Sequence, residues 1–320
     1  MSLHVVFGAG QVGSGLARTL VARGHTVRVV RRSAAVVPGV EVVAGDAREP
    51  AFVARVTAGA AAVYHCMNPS AYTGAAWEAE FPALGAALID GAIASGARLV
   101  CLDNLYAYGI VEGRRTEETA LGATGRKGRV RIAWDATLRT AARERGLRYA
   151  AGRAGDFFGP GVGDQSLFSP AMVAGLGAGK AAWLVGDPRA PHAFGYVPDV
   201  IAGLAALGES DAEGVFHLPT VEVAPATLVA RIAEAMGQVG SSYAIPTWAF
   251  TVLAPFVPLL RELRETAYQW DRPFLVDDGK FRARFAGIGT SLEVAARQTA
   301  AACSPALSST AESAAPAETR

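Results

Sequence analysis

Leu3-His4-Val5-Val6-Phe7-Gly8-Ala9-Gly10-Gln11-Val12-Gly13 is the stretch that decides the architecture of this chain. An apolar run of strand length, Leu3 to Phe7, breaks at a turn with glycine at 8, 10 and 13, and a helical pattern follows from Val12 to Arg23. Glycines at that spacing serve a tight turn, close approach of the backbone to a pyrophosphate, and close packing of helix on strand. A second strand, Thr26 to Val30, ends on Arg31-Arg32, the place where a dinucleotide's adenosine ribose lies. The glycine spacing alone is a weak signal. Set between a leading strand and a helix, it predicts a bound dinucleotide.

Outward from that turn, strand and helix patterns alternate. Val40 to Val43, Ala62 to Cys66, Leu99 to Leu102 and Arg148 to Arg153 read as buried strands, with helices over Ala47 to Ala58, Trp77 to Ser95 and Ile132 to Arg145. Six strands alternating with helices predict an α/β fold, a doubly wound parallel-sheet Rossmann fold. Beyond Arg153 the alternation degrades, which predicts a smaller, interleaved C-terminal substrate domain. The expected division is a dinucleotide-binding domain over 1–154 joined by 194–220, a substrate-binding domain over 155–193 and 221–302, and a disordered tail over 303–320.

Charge excludes some partners. With 30 Lys+Arg against 29 Asp+Glu, nothing calls for nucleic acid or an anionic membrane surface. The densest basic run, Arg126-Lys127-Gly128-Arg129-Val130-Arg131, reads as a solvated helix start. Cys66, Cys101 and Cys303 lack metal-ligand spacing, so no metal is expected, and with a strand beginning at once after the N-terminus the expected location is cytoplasmic. Val239 to Leu260 carries no charge, but Pro246, Pro255 and Pro258 interrupt it, which predicts soluble packing rather than a stable membrane span.

The glycine turn, Asp46 after the third strand, the fourth strand ending at Cys66, Tyr108-Gly109 after the fifth, and Arg153-Ala154-Gly155-Asp156-Phe157-Phe158-Gly159-Pro160-Gly161 after the sixth together resemble the extended short-chain dehydrogenase/reductase superfamily, and within it the epimerase/dehydratase type. The resemblance implies cofactor-binding roles for Gly8, Gly10, Gln11, Val12 and Gly13 at the pyrophosphate, and for Asp46 and Ala47 at the adenine. It implies further roles for Cys66, Met67 and Asn68 beneath the ribose and pyrophosphate, and for Ala154, Gly155 and Phe157 beside the nicotinamide. Asp46 also fits as the N-cap of a helix beginning at Ala47. It further implies that a homodimer through the helices after the fourth and fifth strands is possible. Arg31 and Arg32 stand where NAD binders place an acid, and guanidinium groups suit a 2′-phosphate, so NADP(H) is expected, with NAD(H) less favoured.

One departure from the family is decisive for chemistry. The superfamily's dehydrogenases use a Tyr-x-x-x-Lys pair whose tyrosine exchanges a proton with the substrate, and no tyrosine here is followed four residues later by lysine. Lys127 and Arg131 fill the matching positions, and Asn104 fills that of the usual Ser or Thr. Asn104 hydrogen-bonds but moves no proton, so Tyr106, Tyr108 or water becomes the candidate donor, with Lys127 as a candidate clamp. The expectation is an NADP(H)-dependent oxidoreductase acting on a small carbonyl, enone or imine, lined by apolar residues such as Trp183, Phe194, Trp248 and Phe256. The alternatives are a non-catalytic NADP(H)-binding regulatory protein and a non-redox isomerase or cyclase on the same fold.

Overall fold

A computed structural model describes residues 1–33 and 39–303 of the chain. The first half runs β1 (Leu3–Phe7), α1 (Gln11–Ala22), β2 (Thr26–Arg31), β3 (Glu41–Ala44), α2 (Pro50–Thr57), β4 (Ala60–His65), α3 (Gly74–Ser95), β5 (Arg98–Asn104), β6 (Arg114–Arg115), α4 (Arg126–Arg145) and β7 (Tyr149–Ala154). The second half adds β8 (Asp156–Phe158), α5 (Pro170–Gly177), β9 (Ala182–Val185), β10 (His192–Tyr196), α6 (Val197–Gly208), β11 (Gly214–His217), β12 (Thr220–Val223) and α7 (Pro225–Ala235). It closes with β13 (Ser242–Ile245), α8 (Trp248–Leu253), α9 (Pro258–Leu263), β14 (Leu275–Val276), α10 (Gly279–Arg284) and α11 (Leu292–Cys303).

Seven parallel strands form the main sheet in the order β11-β7-β5-β4-β1-β2-β3. The alternation of strand side chains explains its two covered faces. Val5, Phe7, Val63, Leu99, Cys101, Tyr149 and Ala151 point into the core under α2, α3 and α4, while Val6, Ala62, Tyr64, Val100 and Ala150 point to the core under α1 and α6. The doubly wound parallel sheet expected from the sequence is thus present, and its strand order reverses between β1 and β4. Ligands of open α/β sheets bind at that switch, beyond the carboxyl ends of the strands.

A second, three-stranded sheet of β12, β10 and β8 leads away from that edge, with β8 and β10 parallel. Its core joins Phe158, Phe168, Phe194 and Tyr196 to α5, α7 and α11. Arg126 to Arg131 differs from the sequence reading. It does start a helix, α4, but that start is not solvated throughout: Lys127 and Arg131, four apart on one face, are buried. The uncharged segment differs too: it folds as β13, α8 and the start of α9, with Phe250 buried but Trp248 67 % and Phe256 81 % exposed. Trp183 is likewise exposed and Phe194 belongs to the core, so these four aromatics do not wall a common pocket. Among the described residues no helix is long and apolar enough to cross a membrane. The expected tail lies outside the described residues apart from Cys303, which ends α11.

Candidate active site

The glycine turn sits at the switch between β1 and β4. Gly8 has φ +100 and donates its N–H to Val30 O at 3.0 Å, and a Cβ on it would meet Cys66 O at 2.7 Å. A Cβ on Gly13 would lie 1.9 Å from Gly8 O, so the close packing of α1 on the turn admits no side chain. Above Gly10 there is open space, with nothing within 4 Å of where a Cβ would sit. The first turn of α1 holds no acidic residue and no side-chain cap, which leaves the helix's positive end free for an anion. Those features fit a dinucleotide pyrophosphate against Gly10, Gln11, Val12 and Gly13. Gln11 Oε1 also accepts from Gly163 N at 2.6 Å, tying the turn to the loop after β8.

Of the other expected cofactor residues, Cys66 and Met67 stand against this turn. Cys66 follows β4, its N–H donating to Phe7 O at 2.8 Å, and Asn68 Oδ1 accepts from Arg131 Nη2 at 3.4 Å. Met67 N donates to His65 Nδ1 at 3.3 Å. At the far end of the groove Arg31 and Arg32 are half-buried and exposed, and Arg31 Nη2 lies 3.3 Å from Ser33 Oγ. Asp46 does not cap a helix at Ala47, because α2 begins at Pro50 with Glu49 as its N-cap. Its carboxylate instead takes Arg48 N and the Arg48 guanidinium, whose hydrogen bonds pull the Asp46 carboxyl down to about 2; Ala47 is buried in the core. Ala154 ends β7, and Gly155 and Phe157 lead into and along β8 beside the same edge.

Where the superfamily's tyrosine and lysine stand, this chain builds ion pairs. Lys127 is fully buried, and its Nζ donates to Glu262 Oε2 at 3.0 Å and Glu265 Oε1 at 2.7 Å. Glu262 Oε2 also accepts Gly74 N at 2.8 Å, so one carboxylate fastens α9 to the starts of both α3 and α4. Arg131 Nη1 pairs with Asp103 Oδ1 at 3.1 Å while its guanidinium stacks over Trp77 and Phe81. Asn104 is half-buried, its Oδ1 accepting Tyr106 N at 3.1 Å, which shapes the 3-10 turn over Tyr106–Tyr108.

That turn sends its two tyrosines apart. Tyr106 meets the hydroxyl of Tyr72, from the loop between β4 and α3, with the oxygens 2.8 Å apart, and Lys127 Nζ lies 4.6 Å from the Tyr72 ring centre. Burial raises both phenols above the ordinary tyrosine value, while the Tyr106 hydroxyl and the Lys127 charge pull Tyr72 back. Tyr108 is buried in a relay instead: Arg153 Nη1 donates to its oxygen at 2.7 Å, and its hydroxyl lies 2.7 Å from His217 Nε2. Because His217 Nδ1 faces the Asp277 carbonyl at 2.8 Å, Nδ1 carries the proton and Nε2 accepts from Tyr108. Tyr108 and His217 are therefore engaged within the protein.

Sequence reasoning missed Tyr72, Glu262, Glu265 and the partners of Asp156. Asp156 Oδ2 accepts Trp270 Nε1 at 2.9 Å and lies 3.2 Å from His192 Nε2; burial works against its charge, yet these two neighbours keep its carboxyl below the ordinary value. Glu262 and Glu265 did carry a signal, two acids three apart just after an uncharged stretch. A cavity of about 330 Å³ lies beside this cluster, lined among others by Tyr106, Gly109, Thr124, Glu265, Thr266 and Tyr268. No group of three potential metal ligands occurs among the described residues.

Solved structures share this architecture at low sequence identity. The chain is similar to a dTDP-glucose 4,6-dehydratase from Streptomyces venezuelae solved with NAD and TYD bound (TM-score 0.74, 20% identity, 94% of this chain and 96% of that one). It is similar also to a UDP-glucose 4-epimerase from Thermus thermophilus in complex with NAD (0.72, 21%, 94% and 98%) and to a UDP-glucuronic acid 4-epimerase from Bacillus cereus in complex with NAD (0.75, 12%, 95% and 99%). No curated protein matches the chain significantly. The model of one family covers residues 4–218, from the first strand through β11, and by that match the chain belongs to the NAD dependent epimerase/dehydratase family.

Proposed function

We propose that this protein is an oxidoreductase that uses NADP(H) in preference to NAD(H) and acts on a small-molecule carbonyl, enone or imine. The observation that carries the cofactor half is the junction of an acid-free α1 N-terminus above an open Gly10 with two arginines at the end of β2. Asp46, the acid expected at the adenine, is paired with Arg48, which supports Arg31 and Arg32 being available to a 2′-phosphate. When bound, the nicotinamide supplies or accepts a hydride. The chain's part is to hold substrate at the carboxyl edge of the sheet and to move the accompanying proton. The apolar wall foreseen from Trp183, Trp248 and Phe256 is exposed, so substrate recognition is assigned to the mixed polar lining around Tyr106, Thr266 and Tyr268.

Two titrations and one turnover assay test the reading. Fluorescence titration is expected to give tighter binding of NADPH than of NADH. Arg31→Ala with Arg32→Ala is expected to weaken NADPH by at least about tenfold and leave NADH unchanged, since charge-assisted bonds of this kind contribute about 1.5–3 kcal/mol. Equal affinities with no loss in the double variant overturn the NADP(H) preference. Single-turnover loss of absorbance at 340 nm across carbonyl, enone and imine compounds tests the redox half. A second reading, a binder that does not turn the cofactor over, is favoured by one observation: Lys127 and Arg131 are both locked in ion pairs. Tight NADPH binding with no turnover of any compound selects it.

A further inference from the structure

We propose that Tyr72 is the proton donor of this site, and that the tyrosine and lysine absent as a sequence pair are reassembled in space from the β4–α3 loop and α4. The inference rests on the redox reading above. Tyr72 and Lys127 lie 55 positions apart in the chain, yet the Lys127 ammonium stands 4.6 Å from the centre of the Tyr72 ring. Lys127 occupies the helix position where the superfamily's tyrosine is expected, and the loop before α3 brings the Tyr72 phenol beside it.

Three contacts fix this arrangement. Thr73 caps α3, its Oγ1 accepting Ala76 N at 3.2 Å, which sets the residue before it at the mouth of the helix. Glu262 binds both Gly74 N and Lys127 Nζ, so the loop bearing Tyr72 and the start of α4 share one carboxylate. Trp77 lies edge-on to the Tyr72 ring and stacked on Tyr106, holding the two phenols with their oxygens 2.8 Å apart. Asp156, beside the loop expected to meet the nicotinamide, is close enough to influence both phenols electrostatically.

The chemistry balances within this set. In reduction, a hydride from the reduced dinucleotide forms the new C–H bond, and the electron pair of the C=O or C=N bond moves to the heteroatom. The Tyr72 O–H bond breaks as its proton goes to that atom. The phenolate left on Tyr72 accepts a hydrogen bond from the Tyr106 hydroxyl and lies near the Lys127 ammonium, whose charge is shared with Glu262 and Glu265, then regains a proton from water. Tyr106 and Lys127 act through Tyr72 and are positioning residues. Burial keeps both phenols protonated at neutral pH, the form a proton donor needs.

Tyr72→Phe is expected to lower the single-turnover rate of NADPH oxidation by at least about 100-fold, within the range for loss of a general acid, while NADPH affinity measured by fluorescence stays within about twofold. Tyr106→Phe is expected to cost less and to move the alkaline limb of the pH–rate profile upward. A turnover-independent readout accompanies these: NMR titration of tyrosines carrying a ring-carbon label, with Tyr72 assigned by its absence in Tyr72→Phe. Its ionisation is expected to move to higher pH in both Lys127→Met and Tyr106→Phe, the latter isosteric should the former fail to fold. A Tyr72→Phe rate within threefold of the parent, or a Tyr72 titration that neither variant moves, overturns the proposal. A parent protein that binds NADPH and never oxidises it defeats the redox reading; the titration then still decides whether the tyrosine and lysine are coupled.

Discussion

His65 shows what a single buried ring does to stability. It lies between Phe81 and Trp134, and its Nδ1 accepts Met67 N, so the neutral ring carries its proton on Nε2. Burial first, and the nearby Arg131 charge second, push it down from 6.5 to about 3. Between those two values the unfolded chain takes up a proton that the native ring refuses, so stability falls as pH drops through the window and is fully present only above it. At pH 5 the loss attributable to His65 is about 2 kcal/mol, from the 1.36 kcal/mol carried by each pK unit. Urea unfolding at pH 7 and pH 5 checks it: His65→Asn is expected to shrink the difference between the two pH values by about that amount. An unchanged difference contradicts the burial account.

At the scale of the element, the strand–turn–helix of β1 and α1 separates a folding requirement from a binding one. Gly13→Ala drives a Cβ into Gly8 O, and with no flexible side chain to yield, a loss of about 1–3 kcal/mol is expected from overpacking. Gly10→Ala meets nothing, so its melting temperature should stay within about 1 °C of the parent, a surface-like change. NADPH binding should nevertheless weaken in Gly10→Ala, because the methyl occupies the space left for the pyrophosphate. Calorimetry beside fluorescence titration reads both; unaltered NADPH affinity in Gly10→Ala would move the pyrophosphate away from that residue.

The same scale shows what was legible. Apolar runs such as Val5-Val6-Phe7 and Leu99-Val100-Cys101 carry the sheet because both faces of each strand are covered, and every alternate residue finds a core. The buried face at the start of α4 was not legible, because Arg126 to Arg131 has the composition of a solvated helix start. Only the packing of α9 and β5 against it reveals that Lys127 and Arg131 point inward to Glu262, Glu265 and Asp103 while Arg126 reaches outward to Glu78.

Across the whole molecule, a buried charge network ties the sheet to the helices that cover it. Arg153 on β7 donates from Nε to Asp103 Oδ2 on β5 at 3.2 Å and from Nη2 to Asp135 Oδ1 on α4 at 2.8 Å, and it caps the Tyr108–His217 relay to β11. Asp103 and Asp135 have second partners in Arg131 and Arg139, so each carboxylate is shared between two guanidinium groups. Arg153→Met removes the shared cation and leaves both acids short of a bond, at an expected cost of about 3–5 kcal/mol in urea unfolding, the range for breaking a buried pair. A cost below about 1 kcal/mol would show that Arg131 and Arg139 suffice.

The sequence by itself determined the alternation of strand and helix, the glycine turn at the head of the first helix, the arginine pair after the second strand and the loss of the Tyr-x-x-x-Lys spacing. All of these are local: each depends on residues within one element or one connection, where periodicity and glycine geometry act. Only the tertiary structure decided which phenol stands beside Lys127, what neutralises that lysine, and that Trp248 and Phe256 of the uncharged segment face outward while Phe250 is buried. Tyr72, Tyr106, Lys127, Glu262 and Glu265 come from four separate stretches of chain. Their meeting is fixed by how the helices pack over the end of the sheet, and no spacing along the sequence encodes it.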